Sequence, residues 1–309
     1  MRDRLEDAGV ALAAALASRL SPPVAARVGR ALGRTAHALG VRRAVARANM
    51  ARALTERTPA EVDTLVRRSY EHVGRSVLEF MSLPGLDRAA CAARVDLEGL
   101  DHVQAALTAG RGAVVAAGHL GNWEFGGAGA AAHGLPVTFV VQPLRNARVD
   151  ARLEALRRGA GINTISRGMA LRRVRAALAA DRLVFIMCDQ DARRHGTFVP
   201  FFGIPASTPR GAAQMSLRFH VPMLTAFVER RDAMRHCVRF GAPLAAPENV
   251  PEETAVIALL AAFNARLEAA VRRAPEQYWW AHRRWKTHPP APSDAATRID
   301  SDATRARTH

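Results

Sequence analysis

A chain of 309 residues, 49% of them hydrophobic, can bury one large core or two modest ones and has the composition of an ordinary globular protein. Its formal charge of +16 comes almost wholly from arginine, Lys286 being the only lysine, and a surface of that sign attracts acidic partners: nucleic acid, an anionic bilayer or a small acidic carrier protein. Cys91, Cys188 and Cys237 are isolated and form no C-x-x-C, which argues against a disulfide framework and a structural zinc site and fits a reducing compartment.

Residues 1–54 are rich in Ala, Leu, Val and Arg. The apolar run 8–17 ends at Ser18-Arg19, short of the roughly 20 residues that span a bilayer, and no signal-cleavage pattern follows it. Over residues 24–39, Val24, Val28, Leu32 and Leu39 share one helical face while Arg27, Arg30 and Arg34 lie opposite. Such a basic amphipathic helix suits a membrane interface; the alternative is that its apolar stripe packs on the rest of the protein. Thr58-Pro59-Ala60-Glu61 is a capping box with proline at the first helical position, and starts a helix that Pro84-Gly85 stops near residue 83.

A short strand over 95–97, a helix over 101–109 and a buried strand over 113–117 follow. Strand and helix patterns then alternate: strand 136–141, helix 146–159, strand 162–165, helix 169–180, strand 183–188. A loop punctuated by Gly and Pro (195–209), a helix (210–219), strands 223–228 and 236–240 and a long helix (252–273) complete the pattern. It predicts a single α/β domain over 55–288, with a mostly parallel or mixed central sheet flanked by helices. An N-terminal helical, membrane-associating segment (1–54) precedes it, and the tail 289–309, without apolar period, reads as disordered.

The stretch Gly118-His119-Leu120-Gly121-Asn122-Trp123-Glu124 has the layout of an active-site loop, because the strand stops at a histidine and the helix opens with a carboxylate in its first turn. On one continuous helix His119 and Glu124 would stand about 140° apart, so they face each other only if His119 sits in the turn before the helix. Imidazole and carboxylate would then act as base and orienter; a surface or packing pair is the plain alternative. Asp189-Gln190-Asp191, directly after a strand, could hold a divalent metal for nucleotide-sugar chemistry, or one Asp could orient an arginine. The apolar loop Phe198-Val199-Pro200-Phe201-Phe202-Gly203 lines a pocket, touches lipid or closes the core. Tyr278-Trp279-Trp280 with Arg283-Arg284-Trp285-Lys286 suits a membrane-interface belt or phosphate headgroups better than nucleic acid, since no recognition helix or zinc-finger spacing accompanies it. No P-loop, dinucleotide fingerprint or G-x-S-x-G stands where its chemistry would need it.

These stretches, taken together and in order through Pro275–Lys286, resemble the bacterial lipid A late acyltransferases, the lauroyl/myristoyl-type members of the lysophospholipid acyltransferase superfamily. The resemblance implies an inner-membrane enzyme with its site toward the cytoplasm. It would move an acyl chain from acyl carrier protein thioester to a hydroxyl of a lipid A precursor or similar glycolipid, with no metal or cofactor and no nucleic-acid partner. By position it makes His119 and Glu124 the catalytic pair. It places Arg157 (with Arg158 as an ambiguous neighbour) and Asp191 with the substrates; backbone N–H groups at the Asn122 helix start, or Arg157 held by Asp191, are the candidate donors to the oxyanion. The relatives that acylate phosphatidylinositol mannosides share the H-x4-acid core. The sequence departs from family habit at Gln142-Pro143, where Tyr-Arg-Pro is usual. A metal-dependent glycosyltransferase and a non-enzymatic basic protein on membrane or nucleic acid are the rival classes.

Overall fold

The structure, a computed structural model, describes residues 1–290; the tail expected to be disordered lies outside them from residue 291. Four helices open the chain: α1 (Arg2–Ala17), α2 (Pro22–Ala38), α3 (Arg43–Ala53) and α4 (Pro59–Ser82). The capping box forms as read. Thr58 Oγ1 accepts the Glu61 N–H at 3.3 Å, and Glu61 Oε2 accepts the Thr58 N–H at 2.8 Å. Helix α2 meets α4 through small residues: a Cβ on Gly33 would stand 2.0 Å from the Tyr70 carbonyl oxygen, and one on Gly74 2.1 Å from that of Gly29. The buried face of α2 is therefore Ala25, Ala26, Gly29 and Gly33. Its large apolar residues stay outside, with Val24 39%, Val28 38% and Leu32 52% exposed. Of the two fates open to that stripe, packing on the protein is not the one taken.

After α5 (Arg88–Ala92) come β1 (Val95–Glu98), α6 (Leu100–Thr108), β2 (Ala113–Ala117), α7 (Trp123–Ala132), β3 (Val137–Val141), α8 (Ala147–Gly159), β4 (Asn163–Ser166), α9 (Ala170–Ala179) and β5 (Leu183–Met187). The remainder is β6 (Thr197–Phe201), β7 (Ile204–Thr208), α10 (Gly211–Phe219), β8 (Met223–Arg230), β9 (His236–Gly241) and α11 (Glu252–Arg273). Seven strands form one mixed sheet in the order β1-β9-β8-β2-β5-β3-β4, every pair parallel except β8–β9. Strand β2 is buried on both faces, as its unbroken apolar run requires. Val114 and Ala116 point into a core shared with α3, α4, α10 and α11, whereas Ala113, Val115 and Ala117 point into a second core under α7.

Two sequence readings need correcting. The segment read as a loop over 195–209 holds the hairpin β6–β7. Its turn, Phe202-Gly203, has φ of 51° and 72°, the doubly positive pair that a two-residue hairpin turn demands. Pro200 and Pro205 hid the strands from a pattern search, because proline lacks the ladder donor; they sit opposite each other in a two-stranded ribbon with free edges. The aromatic-basic stretch is likewise not a membrane belt, for Tyr278, Trp280, Arg284 and Trp285 are all buried. Trp285 stacks on Phe201 with centroids 5.7 Å apart, while Arg284 donates to the Ser207 carbonyl (2.6 Å) and Thr208 Oγ1 (2.7 Å). Hairpin and stretch close one core against each other. Among the described residues only α11 is long and apolar enough to cross a membrane, but Leu259, Leu260, Phe263 and Leu267 along it are core residues.

Candidate active site

Strands β2 and β5 run parallel with Ala117 beside Met187, and the Cys188 N–H donates to the Ala117 carbonyl at 2.9 Å. Two residues further along each strand, that register sets His119 beside Asp189. The helices that follow, α7 and α10, pack on opposite faces of the sheet, so a crevice opens at the carboxyl ends of these two strands.

The residue that orients His119 is Asp189, not Glu124. His119 Nδ1 lies 2.7 Å from Asp189 Oδ1, and the His119 backbone N–H donates to Oδ2 at 2.8 Å. Asp189 is 2% exposed. Burial opposes its ionisation, but the facing imidazole and the two hydrogen bonds outweigh it and hold the carboxyl below its usual range. A carboxylate can only accept, so Nδ1 carries the proton and Nε2 is left as an acceptor, met by a long contact from the Gln190 amide that a substrate hydroxyl would displace. Nε2 faces the cavity near Gln190 Nε2 (3.4 Å), and the Trp123 ring stands edge-on to the imidazole at 4.8 Å. Tyr278 is packed against Asp189, and its hydroxyl is pushed well above the usual phenol range by burial and then by that charge.

Glu124 is occupied elsewhere. Arg157, one turn from the end of α8, grips it with two hydrogen bonds, Nε to Oε2 at 3.0 Å and Nη2 to Oε1 at 2.6 Å. Both side chains are only 12–13% exposed. Although burial alone would lower it, the Arg157 pKa is raised by Glu124, so the site keeps a fixed cation. The sequence reading had Arg157 held by Asp191, and this too is overturned. Asp191 accepts from Thr287 Oγ1 (2.9 Å) and its N–H donates to His282 Nε2 (2.9 Å), while its Oδ1 is buried beside the cavity with no protein partner. Arg158 is exposed and lines neither cavity of the site. Among the described residues no group of three His, Cys, Asp or Glu side chains stands together as a metal site would require.

The Asn122 side chain braces the loop at the edge of the smaller cavity. Its Oδ1 caps α7 by accepting the Phe125 N–H (3.2 Å), and its Nδ2 donates to Glu79 Oε2 (2.8 Å) and the Ser76 carbonyl (3.2 Å). Glu79 in turn is chelated by Arg230, at 2.5 and 2.6 Å. Burial raises the Glu79 pKa, but His236 and Arg230 reverse that and hold it well below the carboxylate range. Gly121 is required twice over: its φ is +65°, and a Cβ there would stand 2.0 Å from the Val228 carbonyl oxygen. Residues 277–279 lock the other side, the Gly121 N–H donating to the Gln277 carbonyl (3.0 Å) and the Trp279 N–H to that of His119 (2.9 Å). Sequence reasoning missed Asp189 as orienter, and with it Glu79, Arg230 and Gln277. Only Asp189 carried a signal, as an acid directly after a strand.

Two cavities meet at His119, Trp123, Glu124 and Arg157. The larger, about 830 Å³, runs under α7 and is lined there by Gly126, Gly127 and Ala130 together with Phe139, Phe185 and Val238. The smaller, about 410 Å³, opens beside Val73, Val77 and Met81 of α4.

Residues 5–287 match the family described as bacterial lipid A biosynthesis acyltransferase. The chain belongs to that family. It is 28% identical over 281 residues to the lipid A biosynthesis palmitoleoyltransferase of Escherichia coli, a match covering 88% of each chain. The lauroyltransferase of the same organism is also 28% identical, over 89% of each. The phosphatidylinositol mannoside acyltransferase of Mycolicibacterium smegmatis is 31% identical over 176 residues, and the chain spans only 58% of that relative's length. The α/β sheet stands as the sequence predicted, within a family of this kind, whereas the expected His119–Glu124 pairing does not form.

Proposed function

We propose that the protein transfers a fatty acyl chain from an acyl carrier protein thioester to a hydroxyl of a lipid A precursor or similar glycolipid, at the cytoplasmic face of the inner membrane. The observation that carries this reading is the His119–Asp189 dyad, whose open Nε2 faces the point where an apolar slot meets the Arg157 cation. An alcohol has a pKa far above 7 and needs a base as it attacks. His119 Nε2 takes that proton while Asp189 steadies the imidazolium, help worth roughly 10²–10⁴-fold. The new C–O bond puts negative charge on the thioester carbonyl oxygen, and Arg157, its charge shared with Glu124, offers that oxygen the N–H groups of Nη1, which Glu124 does not take. The C–S bond then breaks, and the thiolate leaves as a thiol after taking the proton back from His119. The apolar part of the larger cavity, lined by Phe139, Phe185, Val238 and Ala130, takes the acyl chain.

The glycolipid acceptor is favoured over phosphatidylinositol mannoside because the lipid A relatives align over 88% of their length and the mannoside relatives over 58%. Exposed Leu5, Leu12, Leu16, Val24, Val28 and Leu32 on α1 and α2, with arginines beside them, support a helical segment lying on the membrane surface. The test is incubation of purified protein with a panel of acyl-carrier thioesters and lipid acceptors, the products being weighed by mass spectrometry. An ester on a lipid A precursor that His119→Ala fails to make, and that EDTA does not prevent, is the expected result. Undiminished product from His119→Ala would end the mechanism, and loss with EDTA would favour the metal-dependent glycosyltransferase class.

A further inference from the structure

The two cavities open on surfaces of opposite chemistry. The smaller opens past Val73, Val77 and Met81 of α4, with Val77 48% exposed, on the helix that also carries α2. The larger has its mouth at exposed Arg167, Arg193 and His195, with Arg210 beside them. Arg210 is neutralised by Glu253, but Arg167, Arg193 and Arg194 make no ion pair among the described residues. Some exposed arginines elsewhere, such as Arg34, Arg47, Arg231 and Arg235, meet a carboxylate at 2.6–2.7 Å and others, such as Arg27 and Arg68, do not; what sets Arg167 and Arg193 apart is their place at the cavity mouth.

The turn that presents Arg193 and Arg194 is rigid. Ser207 Oγ donates to the Arg193 carbonyl at 2.6 Å, the Ala192 N–H donates to the Ser207 carbonyl at 3.3 Å, and Arg193 itself sits at φ +56°. A non-glycine residue in that region is strained, and the Ser207 hydrogen bonds hold it there. Exposed Arg172 and Arg173 follow Arg167 on α9 and extend the positive field. One cavity mouth is thus apolar and beside the amphipathic helices, and the other is cationic.

We propose that the rim made by Arg167 and Arg193, with exposed Arg194 next to it, is the docking face for the acidic acyl-carrier protein. The carrier threads its thioester arm into the larger cavity from there, and the lipid acceptor reaches His119 from the α4 side. This rests on the carrier-thioester reading above. Charge complementarity selects the partner: an acidic protein gains attraction and guidance from unpaired arginines within a Debye length, about 8–10 Å at physiological salt.

The experiment compares the full-length wild type with Arg193→Glu/Arg194→Glu and, separately, Arg167→Glu, in lipid–detergent micelles. Each is given the same acyl chain on carrier protein and on pantetheine, which presents the thioester without an acidic protein. Charge reversal is expected to raise KM for the carrier thioester about ten-fold or more at low salt, with the gap closing as salt rises, while the acyl-pantetheine reaction stays within about two-fold. Equal losses with both donors would overturn the proposal, as would variants that lose vesicle binding and keep the carrier KM. A wild type that uses the two donors alike sinks the carrier reading itself. A wild type that prefers the carrier, with variants that keep the preference, sinks only this face.

Discussion

Asp189→Asn separates the dyad seen in the structure from the pair that sequence spacing offers. The amide has one acceptor and one donor end where the carboxylate had two acceptors. Asp189 now accepts from the His119 backbone N–H at 2.8 Å and from the ring at 2.7 Å. With its oxygen kept on the backbone N–H, the new amide points an N–H at Nδ1, which can then only accept. The imidazole proton moves to Nε2, and the base is blocked. With the amide reversed, the ring bond survives, but the backbone N–H faces a donor and the imidazolium loses its counter-charge. Either arrangement removes most of the base contribution, so turnover falls roughly 10²–10⁴-fold, or about 3–5 kcal/mol of transition-state stabilisation. The wild-type carboxyl is held below its usual range, so it is ionised across any neutral assay and the comparison needs no correction for its titration. The assay is turnover at saturating donor and acceptor, beside a circular-dichroism melt to show that the variant is folded. A folded Asp189→Asn within ten-fold of wild type, beside an inactive Glu124→Gln, would refute the reasoning and restore Glu124 as the orienter.

Glu124→Gln leaves Arg157 a buried cation without its partner; stability should fall by about 3 kcal/mol or more, and Glu124→Gln/Arg157→Met should recover the melting temperature without recovering turnover. A double variant as unstable as the single one would mean that the pair is not what the loss measures. Ala130→Leu fills the slot under α7 and should shorten the preferred acyl chain: excluding two methylenes costs about 1.6 kcal/mol, a shift of roughly fifteen-fold in relative kcat/KM. An unchanged chain-length profile would place the acyl chain elsewhere. His72 is buried and its pKa is lowered to about 3, by burial first and then by Arg230. A depressed histidine means that the unfolded chain binds the extra proton, so stability is full above the unfolded value near 6.5 and declines as pH falls from there toward about 3, at up to about 1.4 kcal/mol per pH unit. His72→Gln should flatten that part of a urea-midpoint profile between pH 4 and 6.5, and an unaltered slope would count against it.

Much of the architecture is readable because local rules suffice for it. The capping box at Thr58, the apolar run Ala113–Ala117, the glycines on either side of His119 and the long helix Glu252–Arg273 each follow from caps, periodicity and breakers within a few residues. The strand–turn–helix layout gave His119 and Glu124 and the resemblance added Arg157, and all three line the cavities. It erred on who holds whom. Spacing along a chain says which residues are near in sequence, and the partners of a side chain are decided by strands that meet from 70 residues apart.

Sequence by itself determined most of the element order (the hairpin β6–β7 excepted), the loop that ends in an imidazole and the cationic character of the surface. Tertiary structure alone decided that β5 lies next to β2 in a register that sets Asp189 against His119. It also decided that α8 swings Arg157 onto Glu124, and that the aromatic-basic stretch turns inward onto the hairpin. The physical reason is that a buried charge or ring is placed by whichever neighbour satisfies it, and that neighbour is chosen by strand order and helix packing, which no short-range pattern encodes.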